Sequence, residues 1–161
     1  MKWVNPPVAY MLHAGVPALI EAGVCLPGLH GGDAEDTDAQ GRPHRVALEA
    51  YPGLLAREVL GRASYKSDES GKQTAQRREQ RARLLDALQQ GRTRLGLRLS
   101  VTPLQRALLL DDGRGDNLDA VLCLLQAAWG AARGWPDFGL PMPIDPLEGW
   151  IVTAVPEPPG R

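Results

Sequence analysis

Between Asp116 and Ala132 the chain carries Val121, Leu122, Cys123, Leu124, Leu125, Ala127, Ala128 and Trp129, a helical stretch apolar on nearly every face. A helix with no polar side to offer water has to be buried from several directions. The 161 residues suffice for one domain built around it. Aromatic residues are few (four Trp, three Tyr, one Phe), so the core is expected to consist mainly of Leu, Val and Ala. Eighteen Gly and 14 Pro make about a fifth of the chain and predict many loops between short elements.

The remaining elements follow from periodicity and punctuation. Residues 8–23 have a helical apolar pattern, which Gly15 and Pro17 should break into two short pieces. Residues 26–44 read as a loop. Arg45 to Tyr51 alternates at Val46, Leu48 and Ala50 and predicts a strand, closed by Pro52, which then opens a helix from Gly53 to Leu60. A polar loop over 62–73 leads to a helix over 74–90 that Gly91 ends. Leu95, Leu97, Leu99 and Val101 alternate as a strand would, and Leu104–Leu110 reads as helix. After the long apolar helix, 134–148 is loop and Trp150 to Val155 a last short strand.

Whole-chain charge conceals a division. The formal net charge is −1, which excludes a uniformly basic coat protein and an acidic tail protein alike. Residues 57–98, however, hold eleven basic and five acidic side chains, a net of +6. The segments before and after them carry −3 and −4. Lys66, Lys72, Arg77, Arg78, Arg81 and Arg83 are candidates for phosphate contacts, or else form a solvated helix face and loop. No apolar run reaches the roughly 18 residues of a membrane-spanning helix. Cys25 and Cys123 are too few for a disulfide framework and suit buried thiols in a reducing cytoplasm, so a cytoplasmic location is expected.

Several familiar catalytic patterns are missing: a Gly-x-Ser-x-Gly elbow, a Gly-Lys-Ser/Thr phosphate loop and a Cys-x-x-Cys pair. His13, His30 and His44 lack metal-ligand spacing. What remains is acidic. Glu49 lies in an otherwise apolar strand just before the Tyr51-Pro52 break, facing either solvent or a site at the strand end. Asp116 and Asp119 are three apart at the start of the apolar helix, so both carboxylates share one face. They suit the helix N-terminus electrostatically, and equally they suit a hard divalent cation.

Five segments in order carry a resemblance. They are Leu48-Glu49-Ala50-Tyr51-Pro52-Gly53, Tyr65-Lys66, the Arg-rich helix, Gly115-Asp116-Asn117-Leu118-Asp119-Ala120-Val121-Leu122-Cys123, and Glu148-Gly149-Trp150-Ile151; Val4-Asn5-Pro6-Pro7 precedes them. Together they resemble a predicted RNase H-like nuclease family also known as domain of unknown function 429. The resemblance implies an α/β, ribonuclease H-like fold of the Holliday-junction-resolvase type, with a mixed sheet and helices on both faces. It would occupy 1–161 as a single partial domain lacking the first three strands, and with them the first aspartate of the metal site. The implied activity is metal-dependent hydrolysis of phosphodiester bonds, with Glu49, Asp116 and Asp119 as catalytic ligands to Mg²⁺ or Mn²⁺. Lys66, Arg77 and Arg78 would contact a nucleic-acid substrate. Activity is expected only if the segment with the missing aspartate is supplied. The alternative is a non-enzymatic binding or interaction module. Without three strands, helix surface around Val121, Leu124 and Leu125 is expected to lie uncovered.

Overall fold

The computed structural model describes residues 6–155. Its regular structure is helical: α1 (Pro6–Glu21), α2 (Pro52–Leu60), α3 (Ala75–Gln89), α4 (Pro103–Asp111) and α5 (Asp116–Arg133), with one short 3₁₀ turn at Ser70–Lys72. Val4 and Asn5, from the Val4-Asn5-Pro6-Pro7 stretch that precedes the five segments, lie outside the described residues.

Local chemistry accounts for the helix ends. Pro52 opens α2, where a missing N–H costs nothing, and Gly61 closes it at φ +62°. The Thr74 hydroxyl accepts a hydrogen bond from the Arg77 N–H at the start of α3. Thr102 and Gln105 form a reciprocal capping box on α4. The α5 start is capped from upstream, where the Asp112 carboxylate accepts from the Gly115 and Asn117 N–H groups at 3.1 and 2.9 Å. In α1 the expected break does not occur, and one helix runs through Gly15 and Pro17.

The core lies among α2, α3, α4 and α5. Leu55 and Leu60 from α2 meet Leu84, Leu85 and Leu88 from α3, Leu109 from α4, and Leu118, Leu122 and Leu125 from α5. This is the aliphatic, aromatic-poor core that the composition implies. Val121 packs against it and Leu125 is buried, whereas Leu124 is 60% exposed on the outer face of α5.

The α/β expectation is corrected here. The described residues contain no sheet, only three isolated bridges: Cys25 with Val46, Leu26 with His30, and Thr37 with Pro43. An RNase H-like mixed sheet is therefore not the architecture of this chain. The physical reason is visible at each expected strand. Arg45–Tyr51 is extended, but each neighbouring segment meets it at one residue. Cys25 exchanges bonds with the Arg45 carbonyl and the Ala47 N–H (both 2.9 Å), and Val152 donates to the Glu49 carbonyl at 2.7 Å. A ladder needs a run of such pairs. Leu95, Leu97, Leu99 and Val101 all pack on the core, yet their segment's one bond to a helix is from Leu99 N–H to the Leu88 carbonyl. Residues 151–154 form a turn, with Thr153 at φ +72°.

Candidate functional site

A cleft of about 740 Å³ opens between the start of α2, the 61–66 loop and the first turn of α5. Its walls carry Arg57, Arg62 and Lys66 as cations, Asp119 as the one carboxylate, and the rings of Tyr51 and Tyr65. Asp119 is occupied on both oxygens: the Tyr65 hydroxyl donates to Oδ1 and the Lys66 ammonium to Oδ2. Burial, and then the hydrogen bond to this carboxylate, push the Tyr65 phenol far above its ordinary range, so it stays a neutral donor.

The scaffold around this trio is specific. Arg81 is 3% exposed and donates to the carbonyls of Tyr65 (2.7 Å) and Leu110 (2.8 Å), so it ties the 65–66 loop to the end of α4. Gly115 lets that loop come close: a Cβ there would stand 2.8 Å from the Lys66 Cβ and 3.3 Å from the Tyr65 ring. Its φ of +76° suits glycine as well. On the opposite wall, the Arg57 guanidinium lies 5.8 Å from the centre of the Tyr51 ring, whose backbone is held by Gln126 on α5.

A second groove of about 350 Å³ adjoins the first across Ala63 and Ser64, which line both. It adds Lys72 and Arg77. The five cations therefore border one track. Lys66 pairs with Asp119 and Lys72 with Glu69 (2.7 Å), while Arg57, Arg62 and Arg77 pair with no carboxylate among the described residues.

The sequence-derived candidates separate in space. Lys66, Lys72, Arg77 and Asp119 line the track. Arg78 sits outside it in an exposed pair with Asp111 (3.0 Å). Arg81 is buried and serves the scaffold, and Arg83 bonds Gln80. Asp116 is exposed in the first turn of α5 and lines neither groove. Glu49 borders a different cavity, of about 210 Å³, walled mostly by apolar residues such as Leu12, Leu29 and Trp150. Glu49, Asp116 and Asp119 thus do not meet, and no group of three or more His, Cys, Asp or Glu among the described residues is placed to hold a metal ion. With Asp119 committed to Lys66 and Tyr65, these residues do not fit the Mg²⁺ or Mn²⁺ site that the resemblance implies.

Arg57, Arg62 and Tyr51 were not among the candidates read from sequence. Arg57 and Arg62 do open the +6 segment, at a spacing that puts one on α2 and one just past its Gly61 stop.

No family model, no curated protein and no solved structure matches the chain. Among the described residues, no helix is long and apolar enough to cross a membrane.

Proposed function

We propose that this protein is a non-enzymatic module that binds the phosphodiester backbone of nucleic acid along the Arg57–Arg62–Lys66–Lys72–Arg77 track. One observation carries this reading: five cations border two adjoining grooves, and three of the five pair with no carboxylate among the described residues. An elongated row of cations suits a repeating anion better than a single phosphate, and each neutralised phosphate releases counterions. The Tyr51 ring, which lines the larger groove and is 40% exposed, offers a surface on which an unpaired base can stack. Hydrolysis on a metal would need Glu49, Asp116 and Asp119 around one ion, and their separation favours binding without chemistry.

Fluorescence anisotropy with a labelled single-stranded oligonucleotide tests this. Binding should weaken with salt, and Arg57→Ala, Arg62→Ala and Arg77→Ala should each reduce the slope of log affinity against log salt by about 0.7. Arg98→Ala, outside both grooves, serves as control. Binding that is absent at low salt, or equal in all four variants, overturns the proposal.

A further inference from the structure

The extended segment from Arg45 to Tyr51 has one occupied edge and one open edge. In extended backbone, alternate residues present N–H and C=O to the same side. On the odd-numbered side, the Arg45 carbonyl and the Ala47 N–H bond Cys25, the Glu49 carbonyl bonds Val152, and both backbone groups of Tyr51 bond Gln126. On the even-numbered side, the N–H and C=O groups of Val46, Leu48 and Ala50 have no hydrogen-bond partner among the described residues. All three residues are half-buried.

Apolar space lies against the same segment. One cavity, of about 230 Å³, is lined by Val46, Leu48 and Ala50 together with Ala127, Ala131 and Phe138. The other, of about 210 Å³, is lined by Ala47, Leu48 and Glu49, and Glu49 is the single charged residue in its wall among the described residues. Each is several times the ~30 Å³ share of a water molecule. A strand added at the open edge would place successive side chains alternately on its two faces. Those faces meet apolar space, with a carboxylate at one mouth.

We propose that the 46–50 edge is a β-addition site for an extended peptide strand of another protein, one with apolar side chains and a basic residue beside Glu49. Main-chain hydrogen bonds to Val46, Leu48 and Ala50 would supply affinity, and the cavities would select the side chains. The basic flank follows from Glu49, which forms no ion pair among the described residues. A second copy of this chain is the poorer occupant, since its own extended segment brings another Glu49. The proposal does not rest on the reading of the basic track, although the segment ends at Tyr51 in the wall of that cleft.

Amide hydrogen exchange of the full chain, followed by NMR, tests this. The probe is a peptide of alternating valine and threonine flanked by lysines. At saturating probe, the amides of Val46, Leu48 and Ala50 should slow at least tenfold, while those of α3 stay unchanged. Ala50→Pro deletes an N–H that the free protein does not use, and it should weaken the slowing at Val46 and Leu48. The same peptide with glutamate flanks should bind at least tenfold more weakly. No slowing in a chain whose α3 amides are protected overturns the proposal. So does slowing that needs no probe and grows with protein concentration, the mark of self-pairing.

Discussion

The buried side-chain amide of Gln126 pairs with the backbone of Tyr51 as a neighbouring strand would, accepting from its N–H at 3.1 Å and donating to its C=O at 2.9 Å. Gln126 is 0% exposed and 75 residues away in sequence. This pair of hydrogen bonds to one residue fixes the point where the extended segment turns into α2, and with it one wall of the basic cleft. Gln126→Leu keeps the volume and removes both bonds, leaving the Tyr51 N–H without a partner and its C=O with the Leu54 N–H alone (3.0 Å). The expected cost is about 2 kcal/mol, read as a lower urea midpoint at unchanged m-value. Oligonucleotide affinity should fall with it, because Tyr51 and Arg57 lose their fixed position.

Gly115 sets the opposite wall. Gly115→Ala puts a methyl group against the Lys66 Cβ at a φ of +76°. Strain of this kind costs on the order of 1 kcal/mol. The 65–66 loop should be displaced from Asp119, and NMR shifts of the Lys66 and Asp119 amides should report it. Unmoved shifts at those two amides would count against the close approach.

The Asp112 cap gives a dependence on acid. Burial raises its carboxyl, but bonds from the backbone N–H groups of Asn117, Gly115 and Arg114 outweigh that and hold it below the usual aspartate range. A carboxyl lowered in the folded state contributes stability that is present above its unfolded value and lost as pH falls through the folded one. Asp112→Ala should therefore cost about 1 kcal/mol at neutral pH. The gap between the melting temperatures of variant and wild type should narrow as pH drops below about 4. A gap constant from pH 7 to pH 3 would contradict this role.

Helix positions were legible because their punctuation is local. Pro52, Gly61, Thr74 and Gly91 start or stop α2 and α3 close to where their chemistry requires, and the apolar run of α5 is buried along Leu118, Leu122 and Leu125. The sheet was not, because alternation reports one-sided burial and says nothing of a neighbour. Leu95, Leu97, Leu99 and Val101 are half-buried while Gly96, Arg98 and Ser100 are exposed, a perfect period of two without a ladder. Pro17 misled in the other direction, since α1 continues through it. Of the residues singled out from charge and spacing, Lys66, Lys72, Arg77 and Asp119 line the proposed track, but Asp119 reads as a metal ligand in the sequence and here accepts from Tyr65 and Lys66. Arg81 looked like a phosphate contact and is instead buried against two carbonyls, a role that depends on the fold bringing Tyr65 and Leu110 together.

Asp119→Asn distinguishes a phosphate-binding cleft from a metal-dependent one most directly, because the two readings give this carboxylate opposite roles. Here it is the one carboxylate among the described residues that line the larger groove, and its ion pair with Lys66 competes with a phosphate for that ammonium. Anisotropy titration of a labelled oligonucleotide, with and without millimolar Mg²⁺, should show tighter binding by the variant at low salt. The gain should be several-fold, and Mg²⁺ should weaken both proteins only as added salt does. Binding that needs Mg²⁺ in the wild type and is lost in Asp119→Asn would contradict the account.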